Sequence, residues 1–195
     1  RSNINIFRDP RWGRGMETYG EDPYLTGELG SAVVRGLQGP ADSKIVKTHA
    51  CAKHYAVHSG LESNRHRIDV NVSERDLRET YLPAFKDLVV KAGVKEVMTA
   101  YNRFRGYPCA ASDYLVNQIL RKEWGFKGYV VSDSDAVEFI YDKHHVTETY
   151  EDAVALSVNA GLNIRTTFND PKNFILPLRQ AVADGKVSME TIDER

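Results

Sequence analysis

Short apolar runs alternate with longer amphipathic stretches along the chain. Ile4 to Phe7, Thr48 to Val57, Val97 to Tyr101, Tyr129 to Val131 and Leu162 to Arg165 read as strands, bounded by turn-forming residues. Helical patterns lie between and after them. One runs from Asp22-Pro23 to about Leu37 and stops at Gly39-Pro40; others cover Glu74 to Ala92, Ser112 to Glu123, Ala136 to Tyr141, Tyr150 to Ala160 and Asn173 to Asp184. The pattern is clearest in Glu74 to Ala92, where Leu77, Tyr81, Leu82, Phe85, Leu88 and Val89 share one face. Ser73 and Asp76 before it resemble a capping box with Asp in place of Glu or Gln; Gly93 and Gly161 close helices, and Ser188 opens a last one. Arg8 to Gly20, rich in Pro, Gly and Arg, reads as a long loop.

Strands spaced by helices predict an α/β fold with a parallel sheet. The β-branched run after Gly128 has the composition of a strand buried on both faces. An open doubly wound sheet or a barrel would serve. No Gly-x-Gly-x-x-Gly follows a strand and no phosphate loop is present, which takes weight from nucleotide-binding open sheets. The polar residues favour a barrel, because strand after strand ends in a reactive-looking group: Arg8 to Arg14, Lys53-His54, Tyr101-Asn102, and Asp133. In a β/α barrel those ends share one rim, where catalytic residues sit.

Each candidate has a plainer explanation beside it. One of Asp133 and Asp135 could simply cap the helix that follows; Asp135 adjoins that helix and suits the cap, which leaves Asp133 to face a ligand. Lys53 and His54 interrupt an apolar run, where a lysine is costly unless paired or snorkelling and a histidine is often a satisfied core residue; together at a strand end they suit donors aimed into a pocket. Arg11 and Arg14 are either a solvated loop pair or planar donors for hydroxyls and carboxylates. Tyr101 is a core aromatic or a rim hydroxyl. His58, His66, His144 and His145 lack metal-site spacing with acidic partners, so neither metal nor cofactor is expected.

Composition narrows the partners. The chain has 195 residues and 42% hydrophobic content, enough for one sizeable core, and residues 1–195 are expected to be one domain. Lys plus Arg is 26 against 27 Asp plus Glu, so bulk charge points to neither nucleic acid nor an anionic membrane, and a neutral substrate fits. No apolar run has membrane-spanning length. Cys51 and Cys109 form no metal or redox motif.

Five stretches in this order resemble glycoside hydrolase family 3: Arg8-Asp9-Pro10-Arg11-Trp12-Gly13-Arg14, Glu17-Thr18-Tyr19-Gly20-Glu21-Asp22-Pro23, Ala52-Lys53-His54-Tyr55, Met98-Thr99-Ala100-Tyr101-Asn102 and Gly128-Tyr129-Val130-Val131-Ser132-Asp133. Linked and in register, they are far more specific than any one alone. The resemblance implies a retaining, exo-acting β-glycosidase on a TIM-type (β/α)8 barrel, with about five of the eight strands present. It implies Asp133 as nucleophile, with Arg14, Lys53 and His54 bonding the sugar hydroxyls. It also places Tyr101 against the nucleophile and makes Arg65 a further sugar contact. Lys53 and Arg14 are expected to keep Asp133 ionised. Ser134 stands where many members have Trp and β-xylosidase-like ones Cys, and the string Val-Val-Ser-Asp-Ser-Asp-Ala-Val resembles the β-xylosidase-like branch more closely; the resemblance implies a β-xyloside or β-glucoside as substrate.

Retention also needs a second carboxyl group, about 5 Å from the first, to protonate the leaving oxygen. Family members usually supply it from a following domain, so the acid/base is expected outside this chain, which then reads as an internal piece of a larger enzyme, weak or inactive alone. Family analogy favours a periplasmic or secreted setting. Expressed separately, such a piece is expected to oligomerise or dissolve poorly through uncovered edges. Two other readings stand beside the glycosidase: a Schiff-base aldolase-like barrel using Lys53, and a fragment that only binds glycans.

Overall fold

The structure, a computed structural model, describes residues 3–195. Helix α1 spans Pro23–Gln38, with Pro23 at its first position and the Asp22 carboxylate accepting from Leu25 N at 2.8 Å. Strand β1, Cys51–Tyr55, follows, and then the two-residue β2, Asp69–Val70. Ser73 caps α2, Glu74–Asp76, by accepting from Asp76 N. A wider π turn, Leu77–Tyr81, leads into α3, Pro83–Val90. Glu74 to Ala92 is therefore not one regular helix. Pro83 has no N–H to donate, and the turn before it widens until Leu82 N reaches Leu77 O.

Strand β3, Glu96–Thr99, is followed by the short strands β4, Arg103–Phe104, and β5, Tyr107–Pro108. Segment Tyr114–Glu123 is also wound as a π helix, and β6, Tyr129–Val131, follows it. The remaining helices are α4, Ala136–Asp142, α5, Tyr150–Asn159, α6, Lys172–Ala183, and α7, Met189–Glu194, capped by Thr149 and Ser188 before α5 and α7.

The main sheet has the order β1-β3-β6, all parallel. The two outer predicted strands join it more thinly. Ile4 to Phe7 is extended chain beside β1, through an Asn3–Lys53 bridge and an Ile4 N to Lys53 O bond of 2.6 Å. Asn5 uses its side chain, not its main chain, to take His54 N at 2.8 Å, so the ladder stops there. Leu162 to Arg165 is reduced to an Ile164–Val131 bridge beside β6. Strand neighbours thus follow chain order without the reversal of a doubly wound sheet, which makes this a segment of a TIM-type barrel. Among the described residues the sheet does not close.

Side-chain alternation covers both faces. Ala52, Val97 and Val130 join the large core under the helices, with Phe85, Leu88, Leu115 and Ile119, while Cys51, Met98 and Val131 form a separate cluster on the other face. A second small sheet, β2-β4-β5, beyond the C-terminal end of β3, carries no periodic sequence signal and was not expected.

Candidate functional site

Asp133 follows β6 at its C-terminal end and is 8% exposed. Oδ1 accepts from Ser134 N at 2.9 Å; Oδ2 is buried with no aligned donor, 3.3 Å from His54 Nε2 and 4.0 Å from Arg14 Nη1. Tyr101, just past β3, bears on the same carboxylate. Lys53 and His54 come from β1, where the register slips by one residue between Lys53 and Tyr55. Such a bulge re-aims side chains at a sheet rim. Here it gives the rim two consecutive polar residues: His54 Nε2 turns to Asp133, and Lys53 Nζ lies 3.5 Å from Glu17 Oε2.

Arg14, Lys53, His54, Tyr101 and Asp133 therefore meet in one place. Arg65 joins their outer side, its guanidinium 6.0 Å from the centre of the Tyr101 ring and held by Glu62 at 2.6 Å. Arg11 stays out, paired with Asp9 at 2.8 Å with its side chain 69% exposed. Asp135 does not cap α4 through its side chain; it sits in the left-handed region at φ 61° and accepts from Thr167 Oγ1 at 2.7 Å.

Burial decides the charges. It pushes the Asp133 carboxyl above its ordinary range, and the Ser134 amide, Arg14, Tyr101 and Lys53 oppose the shift without overcoming it. Arg14 and Lys53 favour the ionised form as expected, but desolvation outweighs them, since one stands 4.0 Å away while the other is turned to Glu17. His54 moves the opposite way. Burial, with His58, Arg14, Lys53 and Arg65 adding to it, takes its imidazole well below its usual value, so the Asp133 contact is with a neutral ring. Burial chiefly, helped by the Asp133 charge, raises the Tyr101 phenol.

Several residues support the site in roles that the sequence did not assign them. His58, 3% exposed, lies behind His54 with ring centres 5.0 Å apart, and burial lowers it to about 3. Asn102 Nδ2 donates to the Ala56 and Arg103 carbonyls, which leaves Oδ1 to accept from His58 Nδ1 at 3.1 Å and so fixes the tautomer. Trp12 packs edge-on against His58. Glu17, quoted above only within a motif, clamps Arg14 at 2.8 and 2.9 Å.

A parallel β/α segment whose strand ends gather one buried carboxylate, two cations, a neutral imidazole and a phenol has the architecture of a TIM-type barrel with its polar strand-end rim. The family is shown by comparison. A model of the glycosyl hydrolase family 3 N-terminal domain matches residues 3–195, and the chain belongs to that family. It is 51% identical over 193 residues to a xylan 1,4-beta-xylosidase of Xylanibacter ruminicola, covering 98% of this chain and 22% of that protein. It is 43% identical over 169 residues to a beta-xylosidase/alpha-L-arabinofuranosidase of Medicago sativa subsp. varia, covering 83% and 22%. The structure of a GH3 exo-beta-xylosidase, XlnD, in complex with a xylobiose aziridine activity-based probe matches with TM-score 0.92 and 33% identity, over all of this chain and 25% of that one. A beta-glucosidase from Listeria innocua matches with TM-score 0.89 and 36% identity, over 100% and 26%. The chain thus spans about a quarter or less of the length of these relatives.

Proposed function

We propose that this chain carries the nucleophile side of a retaining, exo-acting β-glycosidase site, residues 1–195 being one incomplete barrel domain. The observation that carries the reading is the Asp133 carboxylate at the rim, with one oxygen held by Ser134 N and the other buried beside His54 without an aligned donor. An oxygen whose lone pairs are not taken up is available to attack an anomeric carbon. In the first step that oxygen bonds to the carbon as the bond to the leaving oxygen breaks, and a carboxylic acid outside this chain gives the leaving oxygen its proton. Water then reverses the exchange, the same acid now serving as base. Arg14, Lys53 and His54, with Arg65 at the edge, donate to sugar hydroxyls and hold the ring in place for attack by Asp133. Tyr101 borders the nucleophile.

A terminal β-xyloside is the substrate we favour, a β-glucoside the second. The support is that the relatives at 51% and 43% identity are named as xylosidases; among the solved structures identity does not separate the two, at 33% for the exo-beta-xylosidase and 36% for the beta-glucosidase. A Schiff-base role for Lys53 is disfavoured because Glu17 engages its Nζ at 3.5 Å, whereas carbonyl attack needs a free amine. The test is intact-mass spectrometry, with peptide mapping, of the whole protein that contains this chain after incubation with 2-fluoro-xyloside and 2-fluoro-glucoside probes. A sugar adduct on the Asp133 peptide is expected, faster with the xyloside. Absence of an adduct with both probes would overturn the nucleophile assignment and favour a binding-only site.

A further inference from the structure

Arg14 and Lys53 both lie near Asp133, yet each makes its close contact elsewhere. Arg14 presents Nε to Glu17 Oε1 at 2.8 Å and Nη2 to Oε2 at 2.9 Å, a two-pronged pair that uses one edge of the guanidinium. Only Nη1 is left toward Asp133, at 4.0 Å. Lys53 Nζ lies 3.5 Å from the same Glu17 Oε2. One carboxylate thus holds both cations, and it is the less buried of the two: its side chain is 35% exposed, against 11% for Asp133. We propose that Glu17 is a positioning residue, a counter-ion that holds Arg14 and Lys53 off the Asp133 carboxylate while keeping them at sugar-binding distance.

The physical reason is competition for the same donors. A guanidinium forks onto any carboxylate within reach, and in a buried site the pair it forms is strong. Without Glu17, Arg14 is free to close the 4.0 Å gap and occupy the lone pairs that Asp133 needs for attack. Stabilising that anion in the ground state slows its reaction even as it makes the carboxylate easier to ionise. The groups facing Asp133 are Arg14, Lys53, His54, Tyr101 and the Ser134 amide, with Arg65 over the Tyr101 ring and His58 behind His54. Glu17 faces Arg14 and Lys53. Removing its charge therefore strengthens the two cations against Asp133 and adds no new titrating group.

The inference rests on Asp133 being the nucleophile, and the experiment separates the two. The whole protein and its Glu17→Gln and Glu17→Asp variants are assayed for kcat/KM on 2,4-dinitrophenyl β-D-xyloside, whose leaving group needs no acid, from acid to neutral pH. Glu17→Gln is expected to lower kcat/KM at neutral pH by about tenfold and to move the acidic limb down by about half a pH unit. Glu17→Asp, which keeps the charge, leaves the limb in place. An unmoved limb in Glu17→Gln overturns the proposal whatever the rate, because lost packing slows turnover without shifting a titration. Glu17→Ser is the second charge-removing variant; if neither folds, Glu17 is structural and the proposal is likewise overturned. Failure of the unsubstituted protein to form a 2-fluoro-xylosyl or 2-fluoro-glucosyl adduct on Asp133 instead sinks the underlying reading.

Discussion

His54 Nε2 stands 3.3 Å from Asp133 Oδ2, and burial acts on both partners so as to discharge them. It raises the carboxyl and lowers the imidazole. The contact is therefore a neutral ring against a carboxylate whose ionisation burial makes more costly.

Stability is predicted to fall as pH drops below about 6.5. Burial takes His54 well below 6.5, His58 to about 3 and His144 to about 4. Over that window the unfolded chain binds protons that the folded chain refuses, so the stability present above pH 6.5 is lost on acidification, at about 1.4 kcal/mol per pH unit for each histidine. Asp133 has the opposite sign: with its folded value raised, its contribution is present at acid pH and lost as pH rises through that value. Three histidines outweigh it. Urea midpoints between pH 7 and 4.5 would check this, and His58→Gln should shallow the slope by about one proton. A flat profile would contradict the burial of these rings.

Gly128→Ala is predicted to destabilise the sheet by about 1–3 kcal/mol. A Cβ at this position would lie 2.2 Å from the carbonyl oxygen of Lys95, a main-chain atom that also accepts from Tyr129 N at 3.1 Å. Neither strand can yield without parting β3 from β6. A thermal midpoint unchanged within a degree would show that the two strands enter the sheet differently.

Much of this fold was legible from the chain, and the failures have physical causes. Asp22, Ser73 and Ser188 cap the helices they were read to open, because a short acceptor before an apolar periodic run is a local signal. Tyr129–Val131 also falls where its β-branched run placed it. The π turns at Leu77–Tyr81 and Tyr114–Glu123 went unseen since apolar spacing hardly distinguishes them from α turns; only Pro83 offered a warning. Asp133 and the four residues that meet around it were visible as polar residues at or just past strand ends. What the chain could not show was pairing across distance: Asn102 on His58 spans 44 residues, and Glu17 on Lys53 spans 36.

The outer face of α1 is predicted to drive self-association of the separately expressed chain. Leu25, Leu29, Val33 and Leu37 repeat every fourth residue and are 47, 42, 37 and 40% exposed, a continuous apolar stripe beside the thin Asn3 edge of the sheet. Light scattering should show oligomers, and Leu29→Lys with Val33→Glu should reduce them. A monodisperse monomer would show that the stripe is tolerated in water.

Thr167 is predicted to hold, through Asp135, the turn that carries Asp133. Four bonds tie residues 132–135 to residues 164–167: Ser132 N to Ile164 O at 2.9 Å, Thr166 N to Ser132 Oγ at 2.9 Å, Asp135 N to Thr166 O at 3.0 Å, and Thr167 Oγ1 to Asp135 Oδ1 at 2.7 Å. Of these, only the last restrains the Asp135 side chain in a left-handed conformation that a non-glycine residue adopts at a cost. Thr167→Val removes the donor and should cost about 1–2 kcal/mol, with a fall in kcat/KM of about tenfold in the whole protein as Asp133 loses its aim. Asp135→Gly gives up the same bond but relieves the backbone, so it should be nearly neutral in stability. In that background Thr167→Val should have little further effect. Additive losses in the double variant would mean that Thr167 acts on the turn by some route other than the Asp135 carboxylate.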